Sequence, residues 1–148
     1  MRLSTKGEYA SRAMLELAFH YESKPLHIRD ISRAQSIPQR FLEQILLQLK
    51  RAGYLRSRKG PDGGYYLSRP PADINIAEVI RVMDGPLAPI DCVSVTAHEV
   101  CPHEKTCSLK LLWKEVRDAV AEILERTTLE DLVERSKRRG RGQKRGVG

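Results

Sequence analysis

At Gly53 the apolar spacing changes from helical to strand-like, and this change restricts the fold more than any other feature of the chain. Upstream, Tyr9, Ala13, Leu17 and Tyr21 recur every four residues beside Met14 and Ala18, which predicts an amphipathic core helix over 5–21. Lys24-Pro25 breaks it, and Ile28, Ile31 and Ala34 share one face of a short second helix over 27–34. Ser36-Ile37-Pro38 then reads as a turn. Pro38 suits the first turn of a third helix, because its φ is fixed and its missing N–H has no helical partner there; Ser36 or Ile37 takes the cap. Phe41, Leu42, Ile45, Leu46 and Leu49 give this helix a buried stripe that ends near Gly53. Downstream, residues 54–58 and 65–68 read as two short strands joined by the turn Lys59-Gly60-Pro61-Asp62-Gly63-Gly64. Helix, short helix, turn, helix and hairpin is the order of a winged helix-turn-helix domain, here residues 1–72.

The remainder is helical, so the predicted class is mainly α with a small β-hairpin wing and a long dimerisation helix. Residues 75–83 predict a linking helix with Ile76, Val79, Ile80 and Met83 inward, stopped by Asp84-Gly85-Pro86. With the cysteine-bearing loop behind it, this helix makes up residues 73–107. From Ser108, a candidate N-cap, to Arg126, the residues Leu109, Leu112, Val116, Val120 and Ile123 recur at three and four, close to a heptad seam. A helix of about five turns is too long for so small a head to cover. A second copy of the chain is its natural cover, which predicts a homodimer; an intramolecular core helix is the other reading. Thr127 and Glu130 have capping-box spacing, so a short last helix is expected to end near Arg135 and to close the unit 108–135. Residues 136–148, rich in Arg, Lys and Gly, are expected to form a disordered basic tail.

Charge divides along the same boundaries. The net charge is +7, with Lys and Arg in excess by seven over 1–60 and again over 135–148, and Asp and Glu in excess by seven over 61–134. A basic head on an acidic body is suited to a polyanion such as double-stranded DNA, since Lys and Arg release counterions from phosphates. Chance clustering would give the same arithmetic, and the tail could act as a general nucleic-acid arm. No apolar run is long enough to span a membrane, and the first twenty residues carry charges where a secretory signal needs an apolar stretch. A cytoplasmic protein without a membrane partner is expected. Phosphate-binding glycine loops and the HExxH zinc motif are absent from the sequence, which removes support for nucleotide hydrolysis and zinc proteolysis.

On the third helix, Gln39, Arg40, Glu43, Gln44, Lys50 and Arg51 lie on or around the face opposite the apolar stripe. Arg pairs with guanine, Gln with adenine, and Glu accepts from cytosine, so this is the chemistry of a major-groove reader. A solvated face has a similar composition. Arg56, Arg58 and Lys59 near the hairpin tip favour DNA, with phosphate contact as the role of the wing.

Cys92, Cys101 and Cys107 are separated by eight and five residues in a loop that also holds His98, Pro102, His103 and Lys105. Paired CxxC knuckles, the usual sign of structural zinc, are missing. Three thiolates on a long loop suit the soft-ligand demand of an iron–sulfur cluster, and three incidental thiols remain the alternative. An enzyme using a cysteine nucleophile with His98 or His103 as base has little support, since no oxyanion motif accompanies them. No catalytic residue is assigned and no enzyme is expected.

The opening Leu3-Ser4-Thr5-Lys6-Gly7-Glu8-Tyr9-Ala10, the segment Phe41-Leu42-Glu43-Gln44-Ile45 and the wing Lys59-Gly60-Pro61-Asp62-Gly63-Gly64-Tyr65-Tyr66-Leu67 resemble the winged-helix regulators typified by IscR, NsrR and RirA. The likeness covers residues 1–135 and implies a dimeric bacterial transcription factor, expected to be a repressor, on an inverted-repeat DNA operator. It implies that Glu43 and Gln44 read bases and that Lys59 sits at the wing tip. Asp62 stands where relatives often carry glycine, and its charge opposes phosphate.

The resemblance further implies that Cys92, Cys101 and Cys107 hold a [2Fe-2S] or [4Fe-4S] cluster sensing iron, oxygen, redox state or nitric oxide. The eight-and-five spacing is nearer the RirA-like pattern than the IscR-like one. The histidine that IscR-like proteins place three residues after the last cysteine is Lys110 here. The NsrR-like carboxylate, from the first helix of the other subunit, corresponds to Glu8; His98 and His103 are the local alternatives. Cluster loss would then free the loop and change the spacing of the two reading heads. CymR-like relatives imply the alternative of a cluster-free regulator using redox thiols or a protein partner.

Overall fold

A computed structural model of the chain describes residues 2–140. The described residues form helices α1 (Thr5–Phe19), α2 (Ile28–Gln35) and α3 (Gln39–Arg51), strands β1 (Leu55–Arg58) and β2 (Gly64–Leu67), and helices α4 (Ile76–Asp84), α5 (Ser108–Arg126) and α6 (Leu129–Arg138). The architecture is mainly helical with one antiparallel hairpin, in register from Leu55 opposite Leu67 to Arg58 opposite Gly64.

Helix α1 is the hub, packing against α2, α3, α4, α6 and β2. Small Ala10 and Ala13 beside Met14 and Leu17 let the surrounding helices approach it closely, and all four are buried. Tyr21, expected on the same stripe, lies past the end of the helix and is exposed. One cluster joins these residues to Ile31, Ile37, Leu42, Ile45, Leu46 and Leu49. Ile74, Ile76, Val79, Leu129 and Val133 belong to the same cluster, so α4 and α6 share the core of the head. Backbone pairing reinforces this closure: the Ile76 amide donates to Thr127 and the Leu129 amide to Ile74, at 3.0 and 2.9 Å.

Several local expectations change. Helix α3 starts at Gln39 with Pro38 at its cap, because Ser36 adopts the left-handed conformation (φ 54°) and ends α2. Phe41 is 42% exposed and meets Tyr9 edge-on, since it sits one residue, about 100° of helix, away from buried Leu42. The capping box of α6 is Thr128 with Asp131; Thr127 instead turns its hydroxyl back to the Ile123 carbonyl and closes α5. Cys107, not Ser108, takes the N-cap position of α5. Helix α6 continues to Arg138, so residues 136–138 of the expected disordered tail are helical, and residues 141–148 lie outside the described residues. No described helix is long and apolar enough to cross a membrane.

Candidate nucleic-acid interface and cysteine loop

The apolar stripe of α3 is fully used by the core: Leu42, Ile45, Leu46 and Leu49 are buried. Helical geometry therefore turns Gln39, Arg40, Glu43, Gln44, Lys50 and Arg51 outward, and all six are exposed. The first four occupy the N-terminal half and offer donors and acceptors to a groove. Lys50 is placed differently, because its amine donates to the Ser57 hydroxyl at 2.6 Å and bridges α3 to β1. Arg29 and Arg33 are exposed one turn apart on α2, which packs against α3. Their four-residue spacing was visible in the sequence and adds two cations on the helix that packs beside α3.

The wing is fixed to the head at several points. Ser68 donates its hydroxyl to the Gly53 carbonyl at 2.6 Å, and the Arg69 guanidinium stacks 4.9 Å from the Tyr54 ring centre. Leu26, between α1 and α2, forms an antiparallel bridge to Tyr65. Arg58 lies 6.0 Å from the Tyr66 ring centre, and Arg58 and Lys59 are exposed. Asp62 faces Lys24 across 3.6 Å, which offsets part of the charge it would bring to a phosphate; both are solvent-exposed, so the pair contributes little to stability. Between α3 and the hairpin, Lys50, Arg56, Ser57, Tyr66, Ser68 and Arg69 line a cleft of about 640 Å³. The sequence carried no local signal for Ser57, Ser68 or Arg69, because their partners lie outside the strand pattern that contains them.

The loop between α4 and α5 carries a single 3-10 turn, Asp91–Val93. Cys92, Cys101 and Cys107 are half-buried and form no disulfide. Arg117 of α5 donates to the Val93 carbonyl at 2.6 Å and anchors the turn beside Cys92. Glu104 pairs with Lys110 and, at 3.3 Å, with His98; the Lys110 ammonium holds its carboxyl below the ordinary glutamate value. The Glu104–Lys110 pair thus ties the loop to the start of α5, while His98 closes onto Glu104 within the loop. His103 is exposed. Glu8 is exposed in the first turn of α1 and pairs with Arg12 at 3.2 Å.

Three free, half-buried cysteines on one loop fit the soft donor set of an iron–sulfur cluster. Their arrangement within the single chain is open: among the described residues, no group of three or more His, Cys, Asp or Glu side chains is gathered to hold a metal ion.

Comparison with known proteins fits this geometry. The Rrf2 family profile, described as an iron-dependent transcriptional regulator, matches residues 3–135. The HTH-type transcriptional regulator CymR of Bacillus subtilis is 37% identical over 132 residues, 89% of this chain and 89% of that protein. The HTH-type transcriptional regulator IscR of Photorhabdus laumondii is 36% identical over 133 residues, covering 90% and 79% of the two chains. The solved structure of B. subtilis CymR, described as the global cysteine regulator, superposes with a TM-score of 0.79 at 36% identity, over 90% of this chain and 97% of that one. T. potens IscR superposes with a TM-score of 0.76 at 30% identity, over 92% and 88%. The chain therefore belongs to the Rrf2 family of winged helix-turn-helix proteins, which are DNA-binding transcriptional regulators and not enzymes.

Proposed function

We propose that the chain is a cytoplasmic homodimeric repressor of an inverted-repeat operator, with an operator affinity that follows the state of an iron–sulfur cluster. Cys92, Cys101 and Cys107 would hold the cluster, with Glu8 of a second copy completing the ligand set. The observation that carries the DNA reading is the exposed face of Gln39, Arg40, Glu43 and Gln44 beside a wing that presents Arg58 and Lys59. Arg40 offers paired donors to guanine, Gln44 matches adenine, and Glu43 accepts from cytosine. Arg51, Arg58 and Lys59 neutralise phosphate and set the register. Lys50 acts through Ser57, holding the wing beside the reading helix.

Pairing of two heads is supported by α5, which has no buried residue in the single chain and leaves Leu109, Leu112 and Ile123 exposed. When bound, an iron–sulfur cluster supplies an oxidation-sensitive tie between thiolates. The loop ends at Cys107, directly before α5, and Arg117 holds its first turn on that helix. Loop and proposed dimer face are therefore directly connected, so loop rearrangement bears on the separation of the half-site readers.

Fluorescence anisotropy on matched and scrambled duplexes tests the DNA reading. Arg40→Ala or Gln44→Ala should lower discrimination by about 1–3 kcal/mol, whereas Lys59→Ala should weaken both duplexes together. Equal binding of both duplexes by the wild type, in every metal state, would remove sequence specificity. For the cluster, iron and acid-labile sulfide are assayed after anaerobic purification, beside Cys92→Ala, Cys101→Ala and Cys107→Ala. Loss of both in each variant, with different operator affinity for the holo and apo forms, supports the sensor. The open arrangement of the thiols favours a second reading, a cluster-free regulator using redox thiols or a protein partner. Colourless protein that resists reconstitution would select it.

A further inference from the structure

Helices α1, α4 and α6 each begin with a side chain that accepts from the backbone three residues on: Ser4 from Gly7, Asn75 from Glu78 and Thr128 from Asp131. In α4 and α6 the third residue returns the bond. Glu78 accepts from the Asn75 amide and Asp131 from the Thr128 amide, both at 2.9 Å, which completes a capping box. Helix α1 cannot do this, because its third residue is Gly7 and has no side chain.

The missing acceptor comes from the far end of α4. The Ser4 amide donates to Asp84 Oδ2 at 3.2 Å, and the Ser4 hydroxyl donates to Asp84 Oδ1, across 80 residues of sequence. Glycine at position 7 is what admits the carboxylate, since a Cβ there would lie 2.7 Å from Asp84 Oδ2. We infer that Asp84 is a positioning residue that completes the α1 cap from a distant part of the same chain and so ties the start of the cysteine loop to the DNA-reading head.

The chain order around Asp84 gives the tie its consequence. Asp84 is the last residue of α4, and Gly85, in the left-handed region at φ 79°, leads directly into the loop. On the other side, Ser4 begins the helix that packs against α2, α3 and β2. A cavity of about 510 Å³ lined by Arg2, Leu3, Asp84, Leu87, Arg117 and Leu124 borders the junction, so packing does not lock the cap on that side. Displacing the loop at its α4 end therefore uncaps α1. This regulatory consequence rests on the sensor reading of the loop; the capping does not.

Residue-resolved amide hydrogen exchange on the full chain tests the inference. It is measured for wild type, Asp84→Ala, Asp84→Asn, Ser4→Ala and the double variant, with the cysteines free or alkylated by iodoacetamide. Asp84→Ala should speed exchange at the Gly7 and Glu8 amides about fivefold while leaving α3 unchanged. Asp84→Asn, whose single amide oxygen keeps one of the two acceptors for Ser4, should restore part of the protection. Adding Asp84→Ala to Ser4→Ala should add only the loss of the Ser4 amide bond to Asp84, so the two effects should be less than additive. Alkylation should speed the same amides in wild type but not further in Asp84→Ala. Wild-type exchange at Gly7 and Glu8 in Asp84→Ala, or no effect of alkylation on these amides in wild type, would overturn the inference. If every exchange result holds while operator affinity ignores alkylation, the tie stands and the sensor reading fails.

Discussion

Leu26 and Tyr65 exchange two backbone hydrogen bonds, 2.9 Å from the Leu26 amide to the Tyr65 carbonyl and 2.8 Å in return. An isolated two-stranded hairpin is marginal in water, so this bridge to the α1–α2 connection is part of what holds the wing in place. The approach requires Gly64, which has φ 141° and where a Cβ would lie 2.2 Å from the Leu26 carbonyl oxygen. Gly64→Ala should cost about 1–3 kcal/mol from backbone strain alone and weaken binding to matched and scrambled duplexes alike. Urea denaturation and anisotropy check the two parts; a variant with wild-type stability would show that the bridge is dispensable.

The contact between Gly7 and Asp84 makes an unusual substitution pattern. Alanine is ordinarily favoured over glycine in a helix by up to about 1 kcal/mol. In wild type, Gly7→Ala drives Asp84 off the Ser4 cap, so no gain is expected. With Asp84→Ala already present, the same change should stabilise by up to about 1 kcal/mol. Denaturation of the four proteins completes the cycle, and an equal effect in both backgrounds would contradict the clash.

Leu112 and Ile123 are 47% and 51% exposed on α5 of the single chain. Replacing either by Glu removes little from the core of one chain but puts a charge into the proposed dimer face, where burial of the original leucine or isoleucine is worth about 1.5–3 kcal/mol. Sedimentation equilibrium should show weaker self-association, and affinity should fall for a two-half-site duplex far more than for one half-site. An unchanged dimer would place the interface elsewhere.

Asp131 accepts from the Thr128 amide, and this bond, helped by the Thr128 hydroxyl and the charge of Arg135, holds its carboxyl below the ordinary 3.8. With the folded value depressed, the unfolded chain binds the proton more readily. The contribution is therefore complete above the unfolded value and is lost as pH falls through the folded one. Asp131→Asn should melt below wild type at pH 7, and the gap should close as pH drops below about 4. Parallel melting curves across that range would contradict the cap.

Phe41 and Lys50 show where reading a single helix stops. Both fit the pattern of α3, yet Phe41 turned outward against Tyr9 and Lys50 reached the wing, because which neighbour fills the space beside a residue is not written in its own helix. Thr127 and Thr128 show the same limit within one turn. Two adjacent threonines offer two capping registers, and the pairing of residues 74–76 with 127–129 accompanies the one that formed.

The sequence alone determined the element order, the buried stripe of α3, the exposed Gln39, Arg40, Glu43 and Gln44, the hairpin and the family. These depend on periodicity, on Gly and Pro, and on residues a few positions apart, all of which are local. Only the tertiary structure decided that α4 and α6 share the core of the head, that Leu26 pairs with the wing, that Lys50 bridges to Ser57 and that Asp84 caps α1. Each of these is a contact between surfaces brought together by burial of the common core. Their hydrogen bonds connect residues whose separation in sequence carries no periodic signal, so folding had to place them before they could be seen.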